Sequence, residues 1–101
     1  MGHSERGVRL ENVLREEIEA ILRCEARDPR LSAIDVTRVE LSAGGARARV
    51  WVKTAQEETQ VLDALDRARG FIRSRVADAL GTKRTPELVF RWDPAAGQEL
   101  P

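Results

Sequence analysis

Apolar residues at Leu10, Val13, Leu14, Ile18, Ile21 and Leu22 recur at i, i+3, i+4 spacing, which predicts an amphipathic helix from Val8 to about Ala26. Glu11, Arg15, Glu16, Glu19 and Arg23 read as its other face, a solvated mix able to form i, i+4 pairs. Asp28-Pro29 ends this helix, because proline disfavours the helical conformation in the residue before it. Ile34 to Leu41 is β-branched and reads as a strand, but its alternation slips. Ile34 and Val36 share one parity while Thr37, Val39 and Leu41 share the other, as a bulge or contact on both faces would produce. Ser42-Ala43-Gly44-Gly45 has turn composition, and Ala46 to Lys53 resumes as a second strand with clean alternation. Ala46, Ala48, Val50 and Val52 form a small apolar face for the helices, and Arg47, Arg49, Trp51 and Lys53 form the opposite face.

Thr54-Ala55-Gln56-Glu57 has the form of a capping box, with Thr54 as N-cap. Val61, Leu62, Leu65 and Ala68 carry the apolar stripe of the helix that follows. From Leu65 to Leu80 the stripe continues through Ile72, Val76, Ala79 and Leu80, but Gly70 interrupts it. A glycine inside a helix costs about 1 kcal/mol relative to alanine. It therefore suggests a kink, a left-handed residue or a close backbone approach. The stretch reads as two helices joined by a bend at Ala68-Arg69-Gly70, the second running from about Phe71 to Leu80 and stopping at Gly81. Thr82 to Pro86 is a basic loop, and Leu88 to Trp92 is a third strand with Leu88, Phe90 and Trp92 on one face. Residues 1–93 form one domain, and residues 94–101, which show no pattern, read as a mobile tail.

The predicted order is α-β-β-α-bend-α-β. The Gly44-Gly45 connection makes the first two strands an antiparallel hairpin, and the crossover through the helices makes the second and third parallel. The fold class is α+β, a three-stranded mixed sheet with helices packed on one face.

Charge changes this picture. The 17 basic residues balance the 17 acidic ones, but they are unevenly placed. Between Arg67 and Arg84 stand six basic residues and only Asp78 as an acid, and Arg47 to Lys53 holds three cations and no acid. Such clusters attract a polyanion that the overall charge would not. Fifteen of the basic residues are arginine, whose planar fork suits bidentate phosphate contact. The plainer reading is a solvated basic face in which some arginines pair with Asp66, Asp78 or Glu87.

No apolar run approaches the ~20 residues of a membrane span, and MGHSERGV lacks a signal-peptide core, so the expected location is the cytoplasm. The single Cys24 allows no internal disulfide and reads as a small core residue in the last turn of the first helix. One histidine, His3, and no H-x-E or C-x-x-C leave little from which to assemble catalysis or a metal site. Neither an enzyme nor a cofactor or small-molecule substrate is expected.

The order of elements resembles the KH fold of the type II arrangement, although KH domains usually clamp nucleic acid with a GxxG loop. Here Ala68-Arg69-Gly70 occupies that place. Further blocks resemble the ribosome-binding factor A family: Asp28-Pro29-Arg30-Leu31, Val36 to Ser42, Ala48-Arg49-Val50-Trp51-Val52, Ala68 to Arg73, and Lys83 to Asp93 with its R-x-P-E-L-x-F-x-x-D form. Two departures stand out. Ser42-Ala43-Gly44-Gly45 lacks the family's Ser-x-Asp-Leu, and the extension after Asp93 is short.

The resemblance implies a bacterial, non-catalytic factor that binds the small (30S) ribosomal subunit and its 16S-type rRNA near the 5′ end during late maturation. Such a factor supports precursor processing and is not itself a nuclease. On that reading Gly70 lets a phosphate approach the backbone, where the third helix would offer free N–H groups, and Arg69, Arg73, Arg75, Lys83 and Arg84 add phosphate contacts. Arg47, Arg49 and Lys53 around Trp51 form a second candidate patch, for which packing of the indole under the first strand or against Phe90 or Trp92 is preferred. A monomer is expected. The alternative is a general KH-like RNA-binding or protein-interaction module not tied to the ribosome.

Overall fold

The computed structural model describes residues 5–94, with side chains from Gly7 onward. His3 and the predicted tail from 95 onward lie outside the described residues. Helix α1 spans Glu5–Cys24, a short helix α2 Pro29–Ser32, strand β1 Asp35–Leu41, strand β2 Arg47–Lys53, helix α3 Glu58–Leu80 and strand β3 Glu87–Trp92. The sheet runs β1-β2-β3, antiparallel across the first pair and parallel across the second, as expected. The slipped alternation in β1 is a bulge: the register shifts between Val36 and Arg38, so Val36 and Val39 both reach the core.

Ala48, Val50 and Val52 of β2 and Leu88 of β3 are fully buried beneath Leu14, Ile18 and Leu22 of α1 and Val61, Leu65, Ile72 and Val76 of α3. Each such Val, Leu or Ile side chain removed from water contributes about 1.5–3 kcal/mol. Between β1 and β2 the chain turns through Ala43–Gly45, with Gly44 and Gly45 at φ 81° and 73°, the left-handed region that favours glycine. Among the described residues, no helix is long and apolar enough to cross a membrane.

Four expectations need correction. The bend at Ala68 and Gly70 is absent: α3 is one helix of 23 residues, and Gly70 has no positive φ. A Cβ at Gly70 would meet nothing within 4 Å, so no close approach demands the glycine. Its cost of about 1 kcal/mol is smaller than the burial of Leu65 and Ile72 on the stripe that only a continuous helix keeps in phase. Second, α3 is capped by Glu57, whose carboxylate accepts the Gln60 N–H at 2.9 Å; that bond and one from Thr59 N–H hold the carboxyl below its ordinary value. Thr54 Oγ1 instead accepts from the Gln56 backbone at 3.3 Å, closing a turn before the helix.

Third, α1 buries only part of the expected stripe: Leu14, Ile18, Ile21 and Leu22 are buried, but Leu10 and Val13 are not. Its inward phase runs through Glu11, Leu14, Ile18, Ile21 and Leu22, leaving Val8, Leu10 and Val13 41–45% exposed. Cys24 falls off that stripe and is exposed, so it is not a core residue. Fourth, the polar face is not merely solvated. Glu11 is the one buried charged residue among those described, at 9% exposure, and its Oε2 accepts the Leu41 N–H at 2.8 Å. Glu19 Oε2 likewise accepts the Val36 N–H at 2.9 Å. Two carboxylates of α1 thus bond the outer edge of β1, which an edge strand would otherwise present to solvent.

Candidate nucleic-acid interface

The C-terminal half of α3 and the loop after it form the first cationic surface. Gly81, at φ 64°, ends the helix in the left-handed conformation and turns the chain back towards β3. Thr82 then ties the loop, donating its hydroxyl to Arg84 O at 3.0 Å and accepting the Arg84 N–H at 3.2 Å. This leaves the Lys83 and Arg84 side chains exposed, with no ion pair among the described residues. Arg73 reaches across from α3 and donates to Thr85 O through Nη2 at 2.8 Å and Nε at 3.3 Å. A carbonyl orients the guanidinium without neutralising it. Gly70, Arg73, Ser74, Ala77, Lys83 and Thr85 line a shallow depression of about 350 Å³. In its wall Thr85 Oγ1 is buried without a hydrogen-bond partner.

Not every predicted cation joins this depression. Arg69 pairs with Asp66 and lines a different groove, against β3. Arg75 turns to the other side of the helix, two residues and about 200° from Arg73, and binds Glu25 at 2.6 Å and Asp78 at 3.9 Å. The predicted helix N-terminus at Phe71 does not exist, so no free amides converge there. Thus Gly70, Arg73 and Lys83 come together with Arg84 beside them, while Arg69 and Arg75 serve ion pairs. Sequence reasoning missed Ser74 and Thr85. Ser74 follows Gly70 by four residues on the same helix face, a signal that was there to be used.

The second surface is the helix-free face of the sheet. Arg47, Arg49, Trp51 and Lys53 of β2 alternate with the buried Ala48, Val50 and Val52. Register sets Arg38 and Arg91 on either side of Trp51, and Glu40 beside Arg49. The Arg38 guanidinium stacks 5.1 Å from the indole centroid, and Trp51 Nε1 donates to Glu40 at 3.2 Å. The indole is therefore covered by the first strand, as preferred from the sequence. Arg47 lies 3.4 Å from Glu87, whereas Arg49 and Arg91 have no ion pair among the described residues. Arg91 was legible from its parity, opposite to Leu88, Phe90 and Trp92; Arg38 was hidden by the bulge.

Beside these surfaces, Asp28 caps α2 and holds Arg30 in a paired geometry, with Arg30 Nη2 2.7 Å from Oδ2. The Arg30 side chain, then its backbone N–H, lowers the Asp28 carboxyl to about 2. Among the described residues no group of His, Cys, Asp and Glu is placed to hold a metal ion.

The architecture defines a class: a small KH-like α+β domain that carries cations on two separate faces. The family model for ribosome-binding factor A matches residues 6–99. A ribosome-binding factor A from Thermomicrobium roseum is 45% identical over 93 residues, covering 89% of this chain and 72% of that protein. The crystal structure of the factor from Thermus thermophilus superposes with a TM-score of 0.77 at 30% identity, covering 84% of this chain and 93% of that one. A homology model of the Thermus thermophilus factor, as fitted into the cryo-EM map of a complex of that factor with 30S, gives a TM-score of 0.68 at 32% identity, over 93% of this chain and 98% of that one. The chain belongs to the ribosome-binding factor A family.

Proposed function

We propose that this protein binds the small ribosomal subunit through its 16S-type rRNA, near the 5′ end, during late maturation. It supports precursor processing by binding rather than catalysis, as a monomer in the cytoplasm. The observation that carries the reading is that Arg73 and Lys83 line the depression at Gly70, with Arg84 next to Lys83 in the chain, in a protein whose relative is fitted in a 30S complex. Arg73, Lys83 and Arg84 contact phosphates, and Gly70, with no side chain, lets the RNA backbone approach α3. Arg47, Arg49 and Lys53 make a second, weaker contact from the sheet face. Arg69 and Arg75 must first leave Asp66 and Glu25, so they take the smaller share.

The test is binding to purified small subunits across about 50 to 200 mM salt, comparing the wild type with R73E/K83E/R84E. Removing one phosphate contact should flatten the slope of log affinity against log salt by about 0.7–0.9. An affinity indifferent both to salt and to the triple charge reversal would refute the assignment.

A further inference from the structure

On its flank towards α1 and α2, helix α3 borders a hollow of about 400 Å³ that the corner between those two helices closes. Small-molecule sites occupy about 300–1,000 Å³ and are lined mainly by apolar side chains with a few polar ones. Here Leu31 and Ala64 are buried, Ala26 and Ala68 half-buried, and Phe71 lines the hollow while remaining 42% exposed. Phe71 lies off the buried stripe of Leu65, Ile72 and Val76, so core packing does not account for an aromatic ring at that position.

Three charged residues line the same hollow. Asp28 is engaged by Arg30, whose Nη2 lies 2.7 Å from its Oδ2. Arg67 makes a surface i, i+4 pair with Asp63, both side chains 65% exposed, of the kind that water and salt readily loosen. Arg27 is exposed and has no ion pair among the described residues. The uncommitted charge is therefore positive, and the hollow suits a flat apolar body that carries an anion. Phe71 follows Gly70 directly, about 100° further round the helix and about 1.5 Å along it. The hollow and the depression at Gly70 thus lie on neighbouring flanks of α3. Gly70 itself raises no side chain between them, and a Cβ there would meet nothing within 4 Å. A strand that follows Lys83 and Arg73 over Gly70 arrives at Phe71.

We propose that this hollow receives one unpaired nucleobase of the RNA whose backbone crosses α3 at Gly70. The base stacks on Phe71 beside Ala64 and Ala68, and an adjoining phosphate meets Arg27, with Arg67 close by. The base contact rests on the rRNA reading and deepens it, because phosphate contacts alone position RNA without engaging a base.

The experiment measures binding of the full chain to purified small subunits across about 50 to 200 mM salt, with each variant checked for folding by thermal denaturation. Phe71→Ala and Phe71→Leu should both bind about tenfold more weakly with the salt slope unchanged, as the loss of one base–aromatic stack requires. Phe71→Tyr, which keeps the ring, should bind as the wild type does. Arg27→Gln should flatten the slope of log affinity against log salt by about 0.7–0.9. Salt-dependent binding that Phe71→Ala leaves intact overturns the base contact and spares the phosphate reading. Loss in Phe71→Ala with full affinity in Phe71→Leu also overturns it, assigning the hollow to an apolar side chain of a protein partner. Binding indifferent to salt removes the rRNA reading and the base contact together. A mixture of adenosine, guanosine, cytidine and uridine monophosphates should leave the Phe71 ring resonances unmoved at concentrations that saturate the subunit complex. Saturation of Phe71 by a free nucleotide there would take the hollow away from RNA.

Discussion

Replacing Glu11 tests the least expected contact in the fold. Its carboxylate accepts the Leu41 N–H at 2.8 Å from a position only 9% exposed, across 30 residues of chain. A hydrogen bond to a charged group contributes about 1.5–3 kcal/mol, and a buried donor left without a partner costs about 1–3 kcal/mol. Glu11→Ala also removes the packed stem, so a loss of about 3 kcal/mol is expected against a total of about 5–15 kcal/mol. For a domain of this size that lowers Tm by about 15 °C. Glu11→Gln keeps an acceptor oxygen and removes only the charge, so about 1 kcal/mol is expected. Glu16→Ala, on an exposed side chain, should stay within about 0.5 kcal/mol. Urea denaturation gives the ranking, and exchange of the Leu41 amide, faster in Glu11→Ala than in Glu11→Gln, localises it. If Glu11→Ala matches Glu16→Ala, or if Leu41 exchange does not change, the carboxylate does not hold the strand edge.

Gly70→Ala should stabilise the protein by about 0.5–1 kcal/mol, since the added methyl meets nothing within 4 Å and φ is not positive; thermal denaturation showing a loss would contradict a continuous α3. The same variant should weaken small-subunit binding if the RNA backbone approaches there, which separates the two roles of the position. Asp28, held by Arg30 at about 2, stabilises the fold fully above its unfolded value near 4, and this contribution disappears as pH falls through about 2. Asp28→Asn should therefore flatten the stability–pH curve between about pH 4 and pH 2 while keeping an N-cap acceptor, and an unchanged curve would rule the pair out as its source. Trp51→Ala should destabilise the sheet by removing the Arg38 stack and the Glu40 hydrogen bond; a variant that folds as the wild type does but loses rRNA affinity would instead make the indole a base-stacking platform.

The elements and their pairing were legible because periodicity reports burial directly. Ala48, Val50 and Val52 alternate in the sequence and are all fully buried, and the parity slip in Ile34 to Leu41 became a bulge at Val36 and Arg38. Clustering of cations near Gly70 was legible as well, and Arg73 and Lys83 do meet. The helical bend was a misreading of glycine. Local propensity supplied about 1 kcal/mol, whereas the cost of moving Leu65 and Ile72 out of phase exists only when the sheet beneath them is present.

What the chain determined alone is therefore the set of segments, their facing sides and the total of charges that a polyanion could meet. Tertiary structure decided which of those charges remain available. Arg73 and Arg75 are two residues apart, yet one bonds a carbonyl beside Lys83 and the other pairs with Glu25, just beyond the end of α1. It also decided that Glu11 is an internal acceptor and that carboxylates of α1 cover the outer edge of β1. Hydrogen bonds and ion pairs depend on distance in space, and the partner of Glu11 is a backbone amide, a group every non-proline residue carries and no sequence can single out.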